Sequence, residues 1–147
     1  RGAEPGRCPV FVHHINDAPS VYGFPIFGLP GVKSAFHNAG PQVQPDGDDR
    51  APEPERLEAL HAHMRRWMPQ AAGPIMQAQT CRYTSTPDHE FILDLHPALP
   101  QVVVGSPCSG HGFKFGALFG AALADLAERG ASEYALPRFG LGRFGIG

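Results

Sequence analysis

The strongest chemical signal in this chain is the stretch CSGHGFKFG, residues 108–116, which stands between a short apolar run and a long apolar, helix-like segment. A strand, a glycine-rich turn and a buried helix in that order aim backbone N–H groups at whatever lies in front of them. Gly110 and Gly112 would let a flat or anionic ligand touch bare backbone, and His111 stands between them. Lys114 falls in the first turn, where a cation opposes the positive end of the helix dipole, so an anionic partner is expected to compensate it. The competing reading is close strand–helix packing, with Lys114 reaching out to water along its aliphatic stem.

Two further places carry reactive side chains. Lys33 and His37 lie four apart, so on a strand they project from one face, with Ala35 between them keeping that face uncrowded. Spacing alone favours a solvent-facing polar row on a half-exposed sheet. Cys81 opens an alternating run in which Cys81, Tyr83 and Ser85 share a face. A lone cysteine is most often a small core residue, and Arg82 points away from it, so the thiolate has no evident support.

Other patterns carry less. Gly140–Gly145 reads GLGRFG and matches the dinucleotide pattern GxGxxG, but only two residues follow it. The helix whose N-terminus would hold a pyrophosphate is missing, so a glycine-rich tail is expected. Among the eight histidines, His13 and His14 are neighbours on a strand, and His61 and His63 lie two apart on a helix. Both spacings send the rings to different sides, so neither pair chelates locally, and no metal is expected.

The elements that must position these residues follow from periodicity. Strands are expected at Cys8–His14, Val21–Phe27 and Val32–Asn38, joined by turns at Asn16–Ser20 and Gly28–Gly31. Gly23 and Pro25 mark the second as bent or at an edge. A polar, proline-rich loop over 41–54 precedes a helix from Pro54 to Met68. Its apolar stripe is Leu57, Leu60, Met64 and Trp67, and Pro69 ends it. Ile75–Thr86 reads as a long strand with Phe91–Leu95 as its hairpin partner, and Gln101–Gly105 as a strand buried on both faces. The last helix is apolar nearly all round, hence deeply buried, and stops at Gly130. The whole is α+β with a largely antiparallel or mixed sheet.

Composition narrows the class. With 147 residues the chain can build a real core, and 12 Lys plus Arg against 14 Asp plus Glu leave a net charge of -2. There is no basic stripe for nucleic acid and no apolar run long enough for a bilayer. Arg1–Arg7 carries no signal-peptide pattern, and three widely spaced cysteines form neither a disulfide framework nor a zinc pattern. A reducing cytoplasm is therefore the expected location.

CRYTSTPDHEFILDLHP followed by VVVGSPCSGHGFKFGALFGAALADLA resembles the C-terminal portion of the monomeric sarcosine oxidase and N-methyltryptophan oxidase family. These are FAD-dependent amine oxidases of the D-amino-acid-oxidase type. YGFP at Tyr22–Pro25, GVKSAFH at Gly31–His37 and the closing LPRFGLGRF fit the same family, so the resemblance runs from Cys8 to Phe144. It implies that Cys81 carries FAD through a thioether to the flavin 8α carbon. It implies that Lys33 sits near flavin N5 and assists oxygen activation, where a fixed cation steadies developing negative charge. Tyr22 and His37 would line the substrate cavity. Gly110, His111, Gly112 and Lys114 would stand beside the flavin, with Lys114 binding the substrate carboxylate. The implied reaction moves a hydride from a C–H beside a secondary amine to FAD, with O₂ and a small amine as co-substrates and imine and H₂O₂ as products.

Members of that family begin with a strand–helix–strand unit bearing a true GxGxxG for the ADP half of FAD, and an N-terminal arginine supplies a second carboxylate ligand. Neither is in this sequence. The expectation is a fragment inactive by itself: residues 1–100 a portion of the substrate domain, and 101–147 the last strand and helix of the FAD domain. Its partner would be the missing N-terminal half, and an uncovered apolar face would favour self-association. The alternative is a non-catalytic remnant or binding module that has lost flavin.

Overall fold

The computed structural model describes residues 3–4, 6–16, 18–47 and 51–145. These divide into two compact units, Arg1–Cys81 and Arg82–Gly147. The expected turn at Asn16–Ser20, the loop over 41–54, the opening Arg1–Arg7 and the glycine-rich tail each include residues outside those described.

In the first unit, three antiparallel strands form a sheet in the order β1 (Phe11–Ile15), β2 (Ala18–Phe24), β3 (Lys33–Phe36). The cross-strand pairs Val12–Tyr22, Tyr22–Ala35, Gly23–Ser34 and Phe24–Lys33 assign every side chain to one of two faces. One face carries Phe11, His13, Val21, Ser34 and Phe36 and packs on helix α1 (Pro54–Trp67): the Ser34 hydroxyl meets Met64 Sδ at 3.3 Å, and Val21 and Met64 are buried. Each such aliphatic side chain contributes roughly 1.5–3 kcal/mol by leaving water. The other face carries Val12, Tyr22, Phe24, Lys33 and Ala35, of which Val12, Phe24 and Lys33 are exposed and Tyr22 and Ala35 half-buried.

β2 is the central strand, so of the two expected alternatives, a bend or an edge position, the edge is excluded. Gly23 is there because a Cβ would stand 2.8 Å from Lys33 O and closer still to the Phe11 ring, and Pro25 falls just past the strand end, where it costs no ladder bond. Helix α1 runs as its signals dictate. Pro54 fits the N-terminal turn, Glu55 and Arg65–Arg66 complement the dipole, and Pro69 stops it. Of the expected stripe, Met64 is buried and Leu57 and Leu60 half-buried, while Trp67 stays half exposed.

The second unit pairs β4 (Ile92–His96) with β5 (Leu99–Ser106) antiparallel, and α2 (Gly116–Arg129) packs on both. Its core is Phe91, Leu93 and Phe119, with Leu123, Leu136 and Phe139 against it. The Phe91 ring lies 4.8 Å from Phe119 and 5.7 Å from Phe139. Gly130 takes the left-handed conformation that ends α2, its N–H returning to Leu126 O.

Three expectations are corrected here. Residues 75–86 form no strand, and the 91–95 segment pairs instead with 99–106, because the two-residue link Pro97–Ala98 closes a shorter hairpin. β5 is half-buried at best, with Val102 exposed, and α2 buries only the stripe Phe119, Ala122 and Leu126. The physical reason is common to both: an apolar element is buried on every side only between two layers, and this unit supplies one.

Candidate functional site

The open sheet face brings together three of the expected residues. Alternation places Tyr22 beside Phe24 on β2, and the Phe24–Lys33 pair sets Lys33 across from them. The chain continues the ladder past β3 through His37 N, which donates to Ser20 O at 2.8 Å, so His37 joins the same face. The Tyr22 ring stands edge-on to Phe24 at 6.0 Å and to His37 at 6.3 Å. Lys33 Nζ lies 5.5 Å from the Phe24 centroid. The result is a row of imidazole, phenol and phenyl rings ending in a cation. Lys33 makes no ion pair among the described residues, so the ring steadies the ammonium without cancelling its charge. Such a surface can hold a flat or apolar molecule with negative charge at one end. Phe24 was not singled out from the sequence, although its period-two spacing from Tyr22 would have found it.

Cys81 ends the first unit outside any helix or strand, exposed and unbridged. Its exposure excludes the small-core-residue reading and leaves the sulfur accessible for bond formation.

The glycine loop of the second unit is a more closed object than its sequence suggested. The His111 and Gly112 N–H groups both return to Cys108 O at 3.0 Å, and Phe115 N returns to Gly112 O. These donors close the loop rather than face a ligand. Gly112 is buried, and a Cβ there would sit 1.6 Å from Pro107 O, so the turn's own closure requires glycine at this position. Gly110, with φ +78°, is exposed. The His111 ring packs 4.6 Å from Phe91, and its Nε2–H donates to His89 O at 3.1 Å. Lys114 is exposed, in a 3-10 turn (Phe113–Phe115) ahead of α2, with Nζ 5.1 Å from the Phe115 centroid.

Ser109, unremarked in the sequence, is the buckle of this loop. It is fully buried with φ +41°; its N–H donates to Thr84 O at 2.9 Å and its hydroxyl to Glu90 O at 3.0 Å. Thr86 Oγ1 lies 2.6 Å from the same carbonyl. The GLGRFG segment has an equally structural task. Residues 141–144 form a 3-10 turn, and Arg143 donates to Asp88 Oδ2 at 2.6 Å, Phe91 O at 2.8 Å and Gly140 O at 2.9 Å. The Arg143 guanidinium, through that hydrogen bond, holds the Asp88 carboxyl well below the usual carboxylate range against the opposing effect of burial.

One histidine contact is long-range and invisible to local spacing. His13 Nδ1 lies 3.2 Å from His63 Nε2, with Trp67 edge-on to His13. Partial burial, and then the neighbouring His13, push the His63 imidazole below its ordinary value. Among the described residues no three His, Cys, Asp or Glu side chains converge as a metal site would require, and no helix is long and apolar enough to cross a membrane.

Known proteins resemble this chain over most of its length. Monomeric sarcosine oxidase of Bacillus sp. (strain NS-129) is 40% identical over 124 residues, which are 83% of this chain and 32% of that protein. Human peroxisomal sarcosine oxidase is 32% identical, over 95% of this chain and 34% of its own length. N-methyl-L-tryptophan oxidase of Escherichia coli (strain SMS-3-5 / SECEC) is 32% identical, over 94% of this chain and 37% of its own. The chain therefore spans about a third of the length of the curated relatives it matches. Residues 5–126 match the family described as FAD dependent oxidoreductase (DAO), and the chain belongs to that family.

Proposed function

We propose that this chain is the C-terminal part of an FAD-dependent oxidase acting on a secondary amine such as an N-methyl amino acid. The observation that carries the reading is the open row of Tyr22, Phe24, His37 and Lys33 in a chain of this family, related to oxidases named for sarcosine and N-methyltryptophan. In this reading residues 1–100 are a portion of the substrate domain, and 101–147 are the final strand and helix of the FAD domain.

Each unit by itself offers groups of the kind the ring end of the cofactor takes. Cys81 offers an exposed thiol for a thioether, Gly110 an uncovered stretch of backbone, and Lys114 a cation with no ion pair among the described residues. Bound FAD supplies the hydride acceptor and returns the electrons to O₂. Over the full turnover the amine loses two electrons and two protons, and O₂ gains them, leaving an imine and H₂O₂. Tyr22 and His37 line the cavity and bound the amine on its apolar side. Lys33 places positive charge where oxygen gains electrons. Lys114 pairs with the substrate carboxylate, which satisfies a cation that opposes the α2 dipole. His111 and Gly112 shape that wall from within the loop. The missing N-terminal half is the required partner, and the 147 residues alone turn over no substrate. Without it, the exposed apolar faces of α2 and β5 favour self-association.

The test is the complete protein. It should be yellow, keep its flavin after acid denaturation, and lose that attachment on Cys81→Ser. Colour released into the supernatant would refute the covalent role, and a colourless protein would favour a binding module without flavin. A GxGxxG-bearing reading frame immediately upstream of Arg1 supports the enzyme; a start codon adjacent to Arg1 sinks it.

A further inference from the structure

The chain has only two lysines, Lys33 and Lys114. Neither meets a carboxylate among the described residues, and each has its Nζ over a phenylalanine ring, at 5.5 Å from Phe24 and 5.1 Å from Phe115. Five of the arginines, Arg56, Arg65, Arg129, Arg138 and Arg143, are paired with carboxylates, and Arg66 and Arg143 also lie over rings, of Trp67 at 5.0 Å and Phe144 at 4.1 Å. Phe115 is the sequence neighbour of Lys114, so their proximity is partly enforced by the chain. Phe24 and Lys33 come together only because β2 and β3 pair in that register.

We propose that Phe24 is a positioning residue for Lys33. Its ring seats the ammonium on the open sheet face while leaving the charge uncompensated for an anion or a reduced oxygen species. This rests on the function proposed above, which assigns Lys33 its place in the reaction with O₂.

The physical argument compares a ring with the alternatives. A carboxylate opposite Lys33 would hold the ammonium more firmly but neutralise its field. An aliphatic residue would leave four rotatable bonds free to carry the charge into solvent. A ring does neither: its quadrupole attracts the cation, and its apolar body keeps the amine near the sheet. Phe24 is itself braced, edge-on against Tyr22 at 6.0 Å, and Tyr22 against His37 at 6.3 Å. The row thus links the position of the cation to the side chains that line the proposed cavity. The ring-edge contacts also explain why a residue 40% exposed is a phenylalanine.

The experiment has two arms. In the complete flavoprotein, reduction by substrate and reoxidation by O₂ are followed separately for Lys33→Met, Phe24→Leu and Phe24→Tyr. Phe24→Leu should slow reoxidation roughly two- to five-fold, the range an exposed cation–ring contact supplies, slow it more than it slows reduction, and be rescued by Phe24→Tyr. If Lys33→Met leaves reoxidation unchanged, the proposed role of Lys33 fails. If Lys33→Met slows it and Phe24→Leu does not, the seat alone fails.

The second arm needs no flavin. Reductive methylation of the 147-residue chain with carbon-13 keeps the lysine charges and yields two lysine signals. The Lys33 signal should be shifted upfield by the ring current, lose that shift in Phe24→Leu and keep it in Phe24→Tyr, while the Lys114 signal serves as the internal reference. A Lys33 signal unmoved by Phe24→Leu overturns the proposal.

Discussion

The open face of the first sheet and the glycine loop of the second unit are both rich in polar and aromatic groups, yet they use them in opposite ways. On the sheet, Lys33 has no carboxylate partner among the described residues, and Tyr22 stands edge-on to both Phe24 and His37. In the loop the groups bond inward: Ser109 to Thr84 and Glu90, His111 and Gly112 to Cys108, Arg143 to Asp88, Phe91 and Gly140. A surface kept available for another molecule leaves its charges unmatched. A loop that must hold its own shape spends its donors on itself. The stretch richest in glycine is therefore mainly a rigid frame, and the chemically open surface is the sheet that spacing alone read as ordinary.

That contrast predicts a gradient of mutational cost. The largest effect belongs to Gly112→Ala, because its Cβ would fall 1.6 Å from a backbone oxygen that no side-chain rotation can move aside. Urea unfolding should show a loss on the order of 4 kcal/mol or an unfolded second unit. A near-neutral result would mean the loop is loose and the comparison wrong. Next comes Ser109→Ala, which removes a buried hydroxyl from Glu90 O and Thr86 and should cost about 1–3 kcal/mol in the same assay.

Asp88→Asn acts through pH. The folded carboxyl is depressed, chiefly by its hydrogen bond to Arg143, so its stabilisation is present above the ordinary carboxylate range and is lost as pH falls through and below about 4. Stability of the wild type should decline along that acid limb, and Asp88→Asn should flatten it. An unchanged limb would show that solvent screens this exposed pair into irrelevance. The smallest effect is expected on the sheet. Lys33→Met should change stability by no more than about 1 kcal/mol, since it removes one exposed cation–ring contact. A loss comparable to Ser109→Ala would erase the distinction between open face and closed loop.

Much of the architecture was legible because its causes are local. Pro54 and Pro69 bound α1, and Gly130 ends α2 through a left-handed residue that favours glycine. Period-two alternation alone put Lys33 and His37 on one face, since a strand's side chains alternate whatever it packs against. What could not be read were matches between distant segments. The 91–95 strand chose 99–106 over 75–86, and Phe11 lies across Gly23. Likewise Ser109 buckles to Thr84, and His13 meets His63 fifty residues away.

The amino-acid sequence by itself determined where helices start and stop, which strand residues share a side, and the family to which the chain belongs. Those follow from bond rotations, side-chain period and motif order. Only the tertiary structure decided which face stays uncovered, which glycine is sterically required, and that Lys33 is seated on a ring while the loop's donors turn inward. Each depends on which distant surfaces and donors meet once the chain has closed.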